Sequence, residues 1–250
     1  DYKITILILI NKDSNMNKLK TIVVSGVVAA MSFVSVANSI EIRAGLTGNT
    51  AGYYGNATET LKDSGHKEST EAVAAFSYAS GFAEVAFDSA MGITFGLEFT
   101  PDSISLDDAD RLIKCAVYTG GGCVTGEDAE NGVQKVSANV KDLTTAYIAV
   151  PLMSTGLYVK AGLFTANLET KETLATGSTY GNKDLEGTSI GMFYDGALGD
   201  MFFYRMEAAY MEFDDVTADG SEVGGTTGSY NKITAELGGV EASLSLGLRF

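Results

Sequence analysis

The sequence predicts an all-β protein, an eight-stranded antiparallel up-and-down barrel that crosses a membrane with its strands. Three observations support this prediction. Short segments in which apolar and polar residues alternate recur along the chain, as expected for strands whose successive side chains point to opposite faces. The connections between these segments alternate in length. Glycine is abundant, with 29 residues, while proline occurs only as Pro101 and Pro151, and this composition suits curved sheet better than a helix bundle.

Each predicted strand is a segment with one apolar face. The eight segments lie near residues 40–46, 72–87, 93–99, 137–150, 157–164, 188–195, 202–210 and 240–250. The alternation is clear in five of them and noisier in 72–87, 137–150 and 188–195. In segment 72–87, the parity that turns Glu84 inward also turns Phe76, Tyr78 and Phe82 inward. We therefore expect a bulge or a different register there.

The connections provide independent evidence for a transmembrane barrel. Long polar stretches lie near residues 50–70, 101–135, 166–187 and 214–231, and short ones near 88–92, 152–156 and 196–200. Lipid admits only helices and closed barrels as spanning structures, and no apolar run after residue 40 is long enough for a spanning helix. Transmembrane barrels have long outer loops and short periplasmic turns. Four long and three short connections therefore predict eight strands.

The faces opposite the apolar ones carry charged residues. These are Glu41, Arg43, Glu98, Lys160, Arg205, Glu207, Glu241 and Arg249. Eight strands leave an interior just wide enough for side chains, so the sequence predicts a paired charge network that fills a narrow lumen. A soluble lipocalin-like barrel is the alternative, because periodicity alone does not say which face points inward. The number of charges argues against its apolar ligand cavity.

The N-terminal region has the pattern of an export signal. A basic segment, Met16-Asn-Lys-Leu-Lys20, precedes the apolar residues 21–33, and Ser35 and Ala37 suit the small positions of a cleavage site. Cleavage after Ser39 is a second option. We predict a signal peptide over residues 16–37 and a barrel domain over 38–250, and interpret residues 1–15 as an over-extended reading frame. A retained membrane anchor is the alternative, but the apolar run is short and interrupted by Ser and Gly.

The signal peptide, the eight segments and the final Leu246-Gly-Leu-Arg-Phe250 together resemble the small bacterial outer-membrane β-barrel proteins of the OmpA/OmpX/opacity class, over residues 40–250. Residues 153–162 and 180–191 resemble the hairpin and strand openings of that class. By this resemblance, Leu246, Leu248 and Phe250 form the signal that the outer-membrane barrel-assembly machinery reads. The chain departs from the class at Leu248, where an aromatic residue often stands, and in having no Trp.

The resemblance implies location in the bacterial outer membrane, in contact with its lipid and lipopolysaccharide. We expect no cofactor and no enzymatic activity, and a structural, envelope-integrity or surface-interaction role carried by four long acidic outer loops. A narrow, porin-like channel for ions or small solutes is the first alternative. A lipid-modifying enzyme at the barrel rim is the second. The net charge of −15 argues against nucleic acid as a partner, since phosphate binding needs clustered Lys and Arg.

Three loop features have chemical potential. Cys115 and Cys123, the only two cysteines, lie in the longest predicted outer loop and are expected to form a disulfide, since an exported chain meets an oxidising compartment. The only histidine, His66, could serve as the base of a Ser-His-acid site, or be an exposed loop residue. The acidic runs at residues 107–110 and 127–130 could bind Ca²⁺, but neither matches a defined calcium loop, and a solvated acidic rim is the other interpretation.

Overall fold

A computed structural model describes residues 40–60, 67–87, 92–101, 103–112, 118–119, 122–123, 133–153, 155–173, 180–221 and 232–250. The predicted signal peptide at residues 16–37, the segment 1–15, His66 and Cys115 lie outside these residues. The described chain is almost entirely β-strand. None of its residues forms a helix long and apolar enough to cross a membrane.

The strands follow one another along the chain as twelve segments. They are β1 (Ile40–Thr60), β2 (Lys67–Phe87), β3 (Thr94–Phe99), β4 (Ile104–Leu112), β5 (Tyr118–Thr119), β6 (Gly122–Cys123), β7 (Val133–Pro151), β8 (Leu157–Thr173), β9 (Lys183–Ala197), β10 (Phe202–Phe213), β11 (Val216–Asp219) and β12 (Lys232–Arg249).

Eight of these segments close into a ring. Hydrogen bonds join them in the order β1-β2-β3-β7-β8-β9-β10-β12, and β12 pairs back with β1. Every pairing is antiparallel. The strand β4 follows β3 and pairs with β7, and β11 follows β10 and pairs with β12. The prediction of an eight-stranded antiparallel up-and-down barrel is therefore confirmed.

The outer surface of the ring is apolar and its interior is polar. Leu46 and Leu246, on neighbouring strands, expose 75% and 62% of their surface, whereas Lys160 and Arg205 are buried inside. A soluble lipocalin-like barrel would have the opposite arrangement. The exposed apolar band is the surface that lipid covers in a transmembrane barrel.

The strands are longer than the sequence predicted. β1 and β2 each have 21 residues and β7 has 19, whereas about 9–11 residues suffice to cross a bilayer. Much of the stretches near 50–70, 101–135 and 166–187, predicted as loops, is therefore strand that continues the wall beyond the outer surface of the membrane. The outer face there is largely polar, and apolar residues such as Leu168 and Leu185 turn inward instead. The outward apolar face that marks the membrane-level segments is therefore missing. We call this part the outer extension.

The bulge or different register expected in the second segment, 72–87, is not found in its ladder with β1. The ladder between β1 and β2 runs from Ile40 opposite Phe87 to Thr60 opposite Lys67 without a shift. Phe82 and Glu84 are both buried, so rings and a carboxylate share the inner face. The ladder between β7 and β8 shifts instead, between Lys141 and Thr144.

The wall is interrupted between β2 and β4. The ladder between β2 and β3 ends where Gly81 lies opposite Phe99, and β4 then pairs with β7 alone. Within the described chain, residues 67–80 of β2 have no ladder partner on the side away from β1. Pro101, which lacks an N–H donor, lies where the two strands part. We call this gap the seam.

Candidate functional site: the barrel lumen

Arg205 of β10 is the centre of the layer nearest the short turns. Its guanidinium donates to both carboxylate oxygens of Glu84 on β2, at 2.5 and 3.0 Å. It also donates to both oxygens of Asp195 on β9, at 2.7 and 3.0 Å. The guanidinium carbon, Cζ, lies 3.8 Å from the ring centroid of Phe193. Arg205 therefore joins strands on opposite sides of the ring.

The same layer contains a second arginine. Arg43 of β1 donates to Asp195 at 3.1 Å and to Glu41 two residues away. The hydroxyl of Tyr147 on β7 donates to Glu84 at 2.5 Å. Glu84 thus accepts hydrogen bonds from two strands across the lumen, as a buried carboxylate requires.

Lys160 of β8 is the centre of the next layer. Its ammonium lies 2.7 Å from Glu207 and 3.4 Å from Glu98, and 4.2 Å from the ring centroid of Tyr147. The hydroxyl of Ser80 donates to Glu98 at 2.5 Å. Glu241 of β12 accepts a hydrogen bond from Tyr78. One cation and three carboxylates thus lie in this layer.

An apolar cluster closes the lumen on the side of the outer extension. Its buried members are Ile104, Leu143, Phe164, Ala166, Leu185 and Met211, with Tyr53, Phe76 and Phe213 among the rings packed against them. Between the cluster and the Lys160 layer lies a cavity of about 20 Å³, lined by Glu98, Glu207 and Glu241 among others. That volume suits roughly one water molecule.

Most of the predicted lumen residues lie in these two layers. Glu41, Arg43 and Arg205 are in the first layer, and Glu98, Lys160, Glu207 and Glu241 are in the second. The prediction missed Glu84 as a network member, along with Asp195, Tyr147 and Tyr78. The alternation does place Glu84 on the inner face, but it places aromatic residues there too, and this combination led to the expectation of a different register.

Arg249 lies elsewhere and needs correction. Its guanidinium donates to the backbone oxygens of Asp200 at 2.9 Å and Gly199 at 3.0 Å. These atoms belong to the turn between β9 and β10, at the end of the barrel. Arg249 is the last residue of β12, so its side chain reaches the turn rather than the network.

The remaining predicted features have no described geometry. The Cys115–Cys123 disulfide and His66 involve residues outside the described ranges, as does the acidic run 127–130. The run 107–110 lies in β4, whose side chains are not described there. Within the described part of the chain, no group of three or more His, Cys, Asp or Glu side chains is arranged to hold a metal ion.

Comparison with known proteins supports the fold. No family model matches the chain, and no curated protein does. Among solved structures, the chain is similar to the outer membrane protein OprG from Pseudomonas aeruginosa, with a TM-score of 0.56, 13% identity and coverage of 86% of this chain and 97% of that one. The outer membrane protease OmpT from Escherichia coli has a TM-score of 0.48 at 10% identity, covering 86% of this chain and 100% of its own. The similarity to OprG, at 13% identity, shows the fold alone.

The ring, its lipid-facing apolar surface and its charged interior define the class of this protein. It is a small bacterial outer-membrane β-barrel, with the fold seen in OprG. Its place is the outer membrane, where a closed antiparallel barrel with a polar interior is the characteristic spanning structure.

Proposed function

We propose that the protein is a non-enzymatic barrel that supports the outer membrane and presents its outer extension to the surroundings. The filled lumen carries this proposal. Two layers of ion pairs and the apolar cluster leave a cavity of about 20 Å³ between them, which is too small for a solute path. The role is therefore carried by the strands that continue beyond the bilayer and by the contacts of the barrel with the surrounding lipid and lipopolysaccharide.

Planar-bilayer recording tests the closed lumen. The purified barrel should give no stepwise conductance. A variant that opens the apolar cluster with Phe164→Ala and Met211→Ala, and both ion-pair layers with Lys160→Ala and Arg205→Ala, should give small steps. The lumen carries more carboxylates than cations, so those steps should favour cations. Steps of equal size in the unaltered protein would support the channel alternative instead.

Shortening the outer extension tests the second half of the proposal. Asn56 on β1 lies opposite Glu71 on β2, so removal of residues 56–71 with a short turn in their place leaves the membrane-level ladder intact. Cells with this shortened barrel should show normal amounts in the outer membrane but increased sensitivity to detergent. Unchanged sensitivity would mean that the extension has no envelope role.

The seam favours a second candidate function, the uptake of a small apolar molecule from the membrane. Ile104 and Leu143, both buried, belong to the cluster beside this gap. The chain has no Trp, so Ile104→Trp introduces a single fluorophore there. Brominated lipid chains should quench it if acyl chains reach the cluster through the seam. The buried Phe164→Trp on β8 is the matched control, and equally weak quenching of both would remove this candidate.

A further inference from the structure

The two described short turns expose large apolar side chains at the periplasmic end of the barrel. Leu152 and Met153 lie in the turn between β7 and β8, and Leu198 and Met201 in the turn between β9 and β10. All four are exposed, and Met153 exposes 89% of its surface. Polar residues are usual in turns that face water, so these apolar tips call for an explanation.

Several main-chain polar groups of these turns are hydrogen-bonded within the barrel. In the first turn, Leu152 N–H donates to Leu157 at 2.7 Å, and the Thr155 hydroxyl donates to the carbonyl of Leu152 at 2.7 Å. The N–H of Asp195 donates to the carbonyl of Gly156 at 2.9 Å, which links this turn to the end of β9.

Arg249 forms hydrogen bonds with main-chain groups of the second turn. Its side chain occupies the carbonyls of Gly199 and Asp200, and its own N–H donates to the carbonyl of Met201 at 2.8 Å. The N–H of Leu198 donates to Phe202 at 2.8 Å. Such pairing suits a medium of low polarity, where each unpaired main-chain group costs free energy.

We propose that these turns form an apolar foot that inserts among the acyl chains of the inner-leaflet phospholipids, at the boundary with their headgroups. The foot consists of Leu152, Met153, Leu198 and Met201. It continues the lipid-facing band without a break, because the exposed Val150 and Phe202 adjoin it on β7 and β10. The exposed Asp200 limits its depth, since a carboxylate must stay at the headgroup level.

The occupant is lipid rather than a periplasmic protein because the apolar surface of the foot is continuous with the surface that lipid already covers. A hydrophobic binding site for a soluble partner would be bounded by a polar rim. Here the boundary toward the bilayer is apolar, with Val150 and Phe202 exposed beside the turns.

Single tryptophans test the proposal, because the chain contains none. Met153→Trp and Leu198→Trp are each placed in the full-length protein, reconstituted in phosphatidylcholine vesicles with chains brominated near the headgroup. Leu244→Trp, on the lipid face of β12, serves as the lipid-exposed control. Asp215→Trp, exposed just before β11, serves as the water-exposed control. Correct folding of each variant is checked by its gel mobility without heating.

Insertion predicts that bromination reduces emission at positions 153 and 198 by at least half as much as at position 244, while iodide quenches them several-fold less than position 215. Equal iodide quenching at 153, 198 and 215, with little effect of bromination, would place the turns in water and overturn the proposal. Protection from both quenchers would indicate contact with protein and would overturn it as well.

Discussion

Removal of the Lys160 ammonium should destabilise the barrel strongly. The lysine side chain is 7% exposed, and its closest partner Glu207 is 6% exposed at 2.7 Å. Lys160→Met keeps the length of the side chain and leaves Glu207 and Glu98 buried without their cation. Breaking a buried pair by removing one partner costs about 3–5 kcal/mol. We expect a loss in the lower part of this range, because the neighbouring cavity can admit roughly one water.

The chain offers a matched control for burial. Lys141 and Glu169 form an ion pair of nearly equal length, 2.6 Å, but their side chains are 40% and 33% exposed. Lys141→Met should therefore cost only about 0–1 kcal/mol, as is typical of surface pairs. The two variants make the same chemical change and differ mainly in the solvent around the pair.

Reversible urea unfolding of the barrel in phospholipid vesicles gives the free energies. A second measurement removes one of the two carboxylates that have lost their cation. The double variant Lys160→Met with Glu207→Gln should recover part of the lost free energy of unfolding, because the glutamine side chain carries no charge. If Lys160→Met and Lys141→Met destabilise the barrel equally, then water reaches the lumen freely and the closed interior is refuted.

Other predictions concern the first layer, the wall and the outer loop. Arg205→Ala removes the guanidinium that binds Glu84 and leaves Asp195 with Arg43 alone, so the temperature at which the folded band disappears on heated gels should fall. An unchanged temperature would contradict the inward placement of Arg205. Gly187→Ala should cost roughly 1–3 kcal/mol, because a Cβ there overlaps the buried ring of Phe164 and a main-chain oxygen of β10. Gly48→Ala, whose Cβ would make only an ordinary contact of 4.0 Å with the Leu244 carbonyl oxygen, should unfold at the same urea concentration as the unaltered protein. Alkylation without reductant should add no mass at Cys115 and Cys123, and two adducts would show free thiols.

The alternation of residues was sufficient to predict the ring because lipid imposes a strict rule on one face. In β12, Val240, Leu244 and Leu246 point outward and Glu241 and Ser245 point inward, as the sequence indicated. Each strand that crosses the bilayer obeys the same parity. The apolar faces therefore identified the eight membrane-level segments even where an individual segment was short.

The outer extension was not predictable in the same way. Thr58 and Ser69 lie opposite each other on β1 and β2, and their hydroxyls are 2.9 Å apart. Outside the bilayer no solvent rule forces an outward apolar face, so a strand with a largely polar outer face looks like a loop. Cross-strand pairing keeps these residues in the sheet, and it depends on partners that local pattern does not identify.

The pairing inside the lumen was only partly predictable. Parity assigns a residue to the inner face, but it does not say which residue of a distant strand lies opposite. Arg205 and Glu84 are 121 positions apart in the chain. The expectation of a charged interior also left out the aromatic side chains of the lumen. The inward Tyr147 packs over Gly96 on β3, and its hydroxyl reaches Glu84.

The bond between Arg205 and Glu84 has a consequence for the order of folding. Glu84 belongs to the first hairpin, whereas its partner Arg205 belongs to β10, the seventh strand of the ring. Until β10 joins the ring, the carboxylate would be an unpaired charge within the bilayer, which costs several kcal/mol. Stepwise insertion of finished hairpins is thus unfavourable. The barrel is expected to enter the membrane in one cooperative event, with its early strands held at the interface until the late ones join them.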